Sequence, residues 1–189
     1  MPLLKLTDKL IIVFFVILVS VTLLIPKISK ASTINEYQVP AFFFVSNWNR
    51  WQELENKITY SLADIVVLDW QGHGGRVDLG NKFIRFLHST NKHVILKITG
   101  ANYSMHSLVF CAAPNTEFKV GFLMFHLSAN DSTGEVNLDQ WSQRENHHYM
   151  VPCIAKGIVT ESDIQEVNKD RILYVYSKGS KNFTRDTRR

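Results

Sequence analysis

Cysteine is scarce in this chain. Of 189 residues only Cys111 and Cys153 carry a thiol, and they are not in a CxxC arrangement. That removes a cysteine-built zinc cage and a redox dithiol from consideration. The histidines supply no metal pair either: His147 and His148 are adjacent and cannot face the same way on a helix. Charge of one sign is also thin. The formal net charge is +4, and its surplus sits at the two ends. Lys5, Lys9, Lys27 and Lys30 flank the N-terminal apolar run, while Lys178, Lys181, Arg185, Arg188 and Arg189 crowd the C-terminus. The near-neutral stretch between them offers no nucleic-acid surface. Internal repeats and low-complexity tracts are absent, so the chain is not a repeat array. What it has in quantity is apolar material: 46% hydrophobic residues, with twelve phenylalanines and four tryptophans, enough for the core of one ordinary domain.

Leu10 to Ile25 is a long apolar run, broken only by Ser20 and Thr22 and preceded by Lys5 and Lys9. As a helix it would reach roughly 24 Å, somewhat short of the ~30 Å hydrocarbon core of a bilayer. With Ser29-Lys30-Ala31 behind it, the run reads as a secretory signal with a small-x-small cleavage site, or as an uncleaved anchor. Both readings stay open, and both place the rest of the chain across the membrane, periplasmic or anchored in an inner membrane and facing the periplasm. In that setting Cys111 and Cys153 are either one disulfide or two buried thiols.

The sequence divides into a signal or anchor at 1–31, a polar linker at 32–40, a domain at 41–176 and a basic tail at 177–189. Within the domain, Ala41–Val45 reads as a buried strand. Trp51, Leu54, Ile58 and Leu62 mark a helix over 48–62. The β-branched run 64–70 predicts a strand ending in the turn Gln71-Gly72-His73-Gly74-Gly75. Leu79, Phe83, Phe86 and Leu87 predict a helix over 77–88, followed by a strand at 93–98. A helix is expected from Ser104 to Ala113, stopped by Pro114, then a strand at 120–126. Residues 138–155 read as a helix that Pro152 breaks or kinks. Thr160 and Asp163 form a weak capping box, and Ile172–Tyr176 is a last short strand. Strands alternating with helices predict an α/β fold with parallel pairing.

A serine hydroxyl needs a base, a group that orients the base and backbone donors aimed at the oxyanion. Ser104 stands where a strand hands over to a helix, so the Met105 amide is one unpaired donor. Gly74-Gly75 lets backbone approach closely enough to bring a second. His126 ends a strand, and Asp170 follows later. The chain order Gly-Gly, Ser, His, Asp differs from the orders of the chymotrypsin, subtilisin and α/β-hydrolase triads.

These motifs resemble those of the serine peptidase subunit of the Clp protease, within the crotonase-like superfamily. The family's Gly-Gly, four residues and Gly stands here as Gly74-Gly75-Arg76-Val77-Asp78-Leu79-Gly80. Its Gly, three residues and Ser-Met stands as Gly100-Ala101-Asn102-Tyr103-Ser104-Met105. Its Met-x-His is Met124-Phe125-His126, and its late acid lies in Asp170-Arg171-Ile172-Leu173. The resemblance covers roughly residues 41 to 176. It implies a spiral fold of repeated β-β-α units behind an N-terminal hydrophobic helix. It also implies Ser104 as nucleophile, His126 as base, Asp170 as orienter, and Gly75 and Met105 as oxyanion donors. Gly74, Gly80 and Gly100 would be supporting turn residues. Peptide or protein substrates, no cofactor and a homo-oligomer go with it. The chain departs from the family in Asn102 and Tyr103 before the serine, in a shorter serine-to-histidine interval, and in a basic tail where the family has a helix.

Rivals exist for each role. Ser46 and Ser107 compete with Ser104, and Asp163 with Asp170. Lys97 or Lys119 would be the base of a Ser-Lys, signal-peptide-peptidase-like hydrolase. Tyr103, in place of a small residue, suits a non-catalytic binding or scaffold protein on the same fold. His73 lies near the proposed oxyanion site, His106 is expected to face elsewhere on its helix, and Phe42-Phe43-Phe44 is expected in the core.

Overall fold

The computed structural model describes residues 34–38, 48–127, 140–169 and 171–185. The expected strand at 41–45, the phenylalanine run within it, Ser46, the N-terminal apolar run and Asp170 all lie outside these residues. Thr33–Arg189 forms one compact unit.

Its elements run β1 (Ile34–Gln38), α1 (Trp48–Thr59), β2 (Ile65–Asp69), α2 (Val77–Ser89), β3 (His93–Ile98), β4 (Ala101–Tyr103), α3 (Met105–Ala112), β5 (Asn115–Phe118), β6 (Phe122–Phe125), α4 (Gln140–Ala155), α5 (Glu161–Val167), β7 (Arg171–Tyr176) and β8 (Lys181–Arg185). They build a mixed α/β fold with two four-stranded sheets, ordered β1-β2-β3-β5 and β4-β6-β7-β8. The first sheet is parallel throughout. In β3-β4-α3 and in β5-β6-α4, the first strand enters one sheet and the second strand the other. After β2, a lone parallel bridge from Gly72 to Asn102 reaches the edge of the second sheet at β4.

The β-branched runs of β2 and β3 form where the sequence predicts them, with Val66, Leu68, Val94, Leu96 and Ile98 buried. Helix α1 buries Trp51, Leu54 and Ile58, and α2 buries Leu79, Phe83 and Leu87. Trp51 meets Phe83 edge-on at 4.3 Å, and Phe83 stacks on Trp70 at 5.4 Å. Cys111 on α3 is bonded to Cys153 on α4.

Five expectations need correction. Residues 34–38, read as linker, are a strand: three of the five residues are polar, but the backbone pairs residue for residue with β2. Residues 181–185, read as tail, form β8, which pairs with β7 while most of its side chains stay exposed. Pro152 does not break α4, which runs on to Ala155. Two short strands, β4 and β5, were not anticipated. Finally, the pairing is not wholly parallel, because β7 runs antiparallel to both β6 and β8.

Candidate active site

Strands β4 and β6 are parallel neighbours with Tyr103 opposite Met124. Ser104 and His126 therefore emerge at the same end of adjacent strands. The Ser104 amide donates to the Met124 carbonyl at 2.9 Å, which carries the pairing one residue past the strand. There the backbone turns sharply. Ser104 caps α3 with φ 54° and ψ −125°, and it is the only non-glycine residue with positive φ among the described residues. Such a conformation costs about 1–3 kcal/mol and persists only where its surroundings enforce it. It lifts the side chain out at the junction and leaves the Met105 amide at the start of α3.

The glycine turn lies directly against this junction. Gly74 has φ +85°, and a Cβ placed on it would stand 2.7 Å from Ser104 Cβ, 2.7 Å from the Tyr103 carbonyl and 3.1 Å from the Met105 amide nitrogen. Gly75 follows with φ 132°. Only residues without side chains fit there. Gly80 on α2 serves the same closeness from beneath, since a Cβ on it would collide with the Met105 side chain, 2.3 Å from Cε. Gly100 meets Gly121 backbone to backbone, and a Cβ on Gly121 would lie 1.9 Å from the Gly100 carbonyl oxygen. The structure thus brings Gly74, Gly75, Ser104 and Met105 into one place.

His126 is half-buried. Its Nδ1 faces the Leu127 carbonyl. A carbonyl only accepts, so Nδ1 carries a proton, and in the neutral ring Nε2 is the basic nitrogen. β7 starts at Arg171, antiparallel to β6, and so begins at the end where His126 sits.

The rivals are placed elsewhere by their contacts. The buried Ser107 hydroxyl donates to the Asn102 carbonyl at 3.0 Å and accepts the Met124 amide at 3.1 Å, tying α3 to β4 and β6. Asp163 accepts the Thr160 amide and hydroxyl in a complete capping box and also takes the Lys181 ammonium. Burial opposes ionisation of its carboxyl, yet Lys181 and the Thr160 cap outweigh burial and hold it below the usual range. Lys97 pairs with Glu36 at 3.6 Å and Lys119 with Glu117 at 3.3 Å. His147 pairs with Glu161. Tyr103 stacks face to face on His73 at 5.1 Å and meets Phe122 edge-on at 5.3 Å.

His106 corrects the expectation most. It is fully buried and turned toward the site, where its Nδ1 accepts the Gly74 amide at 3.0 Å. Burial, with a smaller contribution from His73, pushes its pKa down to about 3. The available signal was a lone histidine opening an otherwise apolar helix.

No protein family and no curated protein matches the chain. Among solved structures, a membrane-bound stomatin-specific protease, solved as a mutant in complex with a substrate peptide, superposes with a TM-score of 0.56 at 11% identity. That match covers 75% of this chain and 68% of the other. The ClpP protease catalytic domain from Plasmodium falciparum superposes with a TM-score of 0.53 at 13% identity, covering 94% and 87%. The chain has the ClpP-like fold. In its ClpP-like frame, the turn at Gly74-Gly75 and the strained Ser104 occupy the junction of the second sheet with α3.

Proposed function

We propose that this protein is a ClpP-like serine peptidase that cleaves peptide bonds through an acyl-enzyme. Ser104 attacks the scissile carbonyl, and His126 Nε2 takes its proton and returns it to the leaving amine. The Gly75 and Met105 amides hold the oxyanion. Asp170 orients the imidazolium by taking the Nδ1 proton bond that the Leu127 carbonyl accepts at rest. The observation that carries this reading is the backbone of Ser104. A serine kept at φ 54° and ψ −125°, under a glycine turn that no other residue could form, is an expense the fold has no structural need to bear.

The substrate is a peptide or protein, and a homo-oligomer is the assembly that the fold's relatives suggest. We place the domain in an oxidising compartment, exported behind the apolar run at 10–25 or anchored by it. The Cys111–Cys153 bond supports this placement. Among the described residues no helix is long and apolar enough to cross a membrane; the 10–25 run lies outside them.

The test is labelling of the protein lacking residues 1–31 with a fluorophosphonate, followed by mass mapping. Stoichiometric adduct at Ser104, lost in Ser104→Ala, is the expected result. A folded sample that stays unlabelled would overturn the reading.

A further inference from the structure

The Gly74 amide does not face the oxyanion position. It donates to Nδ1 of His106, 3.0 Å away and in the interior. In the peptidase reading, that leaves Gly75 as the glycine amide for the oxyanion. His106 is itself firmly placed. Its ring lies 4.8 Å from the Trp70 ring, and its own carbonyl accepts the Trp70 indole N–H at 3.0 Å. Trp70 directly follows β2, and its carbonyl in turn accepts the Asn102 side-chain amide at 3.0 Å on β4. The strand that leads into the glycine turn, the strand that leads into Ser104 and the first turn of α3 are therefore joined around one imidazole.

We propose that His106 is the positioning residue of the oxyanion hole: by accepting the Gly74 amide it fixes the peptide unit that presents the Gly75 amide beside Ser104. The proposal rests on the peptidase reading of this site. Its chemistry demands a group that is an acceptor at Nδ1 and never a cation, because an imidazolium donates from both nitrogens. Deep burial against Trp70 meets that demand, and the ring stays neutral across the whole range in which a serine peptidase works. A glycine pair is otherwise free to sample many conformations, so an external tie of this kind is what makes its amide a preorganised donor rather than a mobile one. His106 does not touch substrate; it acts through the turn.

The test compares His106→Leu, which removes the acceptor, with His106→Asn, whose Oδ1 falls near the place of Nδ1. Three readouts are taken on the protein without residues 1–31: melting temperature, the second-order rate of fluorophosphonate labelling at Ser104, and hydrogen exchange of the Gly74 amide by NMR. Folded His106→Leu should label about 100-fold more slowly, as when an oxyanion donor is lost, and its Gly74 amide should exchange fast. His106→Asn should recover most of both. Labelling at the wild-type rate in folded His106→Leu, or equal slowing in both variants, overturns the proposal. If His106→Leu does not fold, Trp70→Phe replaces it, since it frees the His106 carbonyl while keeping an aromatic ring. Slower labelling and faster Gly74 exchange then support the tie, and unchanged values refute it. If wild type itself is not labelled, the peptidase reading fails and Gly74 exchange alone decides. Protection lost in His106→Leu and restored in His106→Asn supports the tie; equal exchange in all three refutes it.

Discussion

The amide of Ser104 donates to the carbonyl of Met124 at 2.9 Å, so the last tie of the β4–β6 ladder falls on the strained residue itself. Replacing Ser104 by glycine should relieve the strain. Relief of about 1–3 kcal/mol, less the ~0.4–1 kcal/mol by which glycine favours the unfolded chain, leaves roughly 1 kcal/mol of added stability. Calorimetry of Ser104→Gly should show a higher melting temperature together with complete loss of labelling. A lower melting temperature would mean that the backbone there is not under strain.

Gly74→Ala should do the reverse. The added Cβ meets Ser104 Cβ and the Tyr103 carbonyl at 2.7 Å, both close to the backbone and unable to swing away. With φ at +85° as well, a loss of about 2 kcal/mol or more is expected. Labelling of whatever remains folded should drop far more than stability does, because the turn must lift off Ser104. Urea denaturation and labelling rates on one preparation separate the two effects.

The two acids make opposite predictions. Asp163→Asn weakens the capping box and the tie to Lys181, so stability should fall by about 1 kcal/mol with the labelling rate intact. Asp170→Asn should leave stability nearly unchanged and slow acylation by up to about 10⁴-fold if the acid orients His126. Should Asp170→Asn label at nearly the wild-type rate, the Leu127 carbonyl is sufficient and the site works as a Ser-His dyad.

Acid should unfold the protein earlier than its carboxylates alone require. His106 takes its proton near pH 3 when folded, because burial and the nearby His73 oppose the charge, but at about 6.5 when unfolded. Between those values the unfolded chain binds the extra proton. This contribution to stability is complete above pH 6.5 and is lost as pH falls toward 3, at a slope approaching ~1.4 kcal/mol per pH unit. Urea midpoints measured from pH 7 to 4 should show that slope, and His106→Asn should flatten it.

Reduction should be felt through α3. The Cys111–Cys153 bond closes a loop with a sequence separation of 42, for which the chain-entropy treatment gives about 4 kcal/mol. Urea curves with and without reductant, and of Cys153→Ser, should agree on a loss of that order. Agreement between wild type and Cys153→Ser under oxidising conditions would show that the bond does not form in solution.

Much of the frame was legible because burial leaves periodic marks. The β-branched runs of β2 and β3 and the apolar faces of α1 and α2 sit where spacing placed them, except that α1 ends at Thr59 and Leu62, expected on its buried face, is exposed. Gly74, Ser104 and Met105 lie together where β4 hands over to α3. The strands that escaped are short or largely polar: β1 and β8 at sheet edges, and β4 and β5 with four residues or fewer. Their pairing is decided by a partner's backbone, which composition does not record. His106 escaped for a different reason. A histidine reads as polar, and only the fold reveals that its nitrogen meets an amide from a turn more than thirty residues earlier.

The order of pairing in the second sheet has a consequence for biosynthesis. Ala101 on β4 meets Phe122 on β6 across a short stretch of chain, whereas Phe125 on β6 waits for Leu173 on β7. As the polypeptide emerges, the strands that lead into Ser104 and His126 can dock early, while β7 and β8 follow only after α4 and α5. A nascent or truncated chain would hold the nucleophile's strand pair without the strands that finish the sheet.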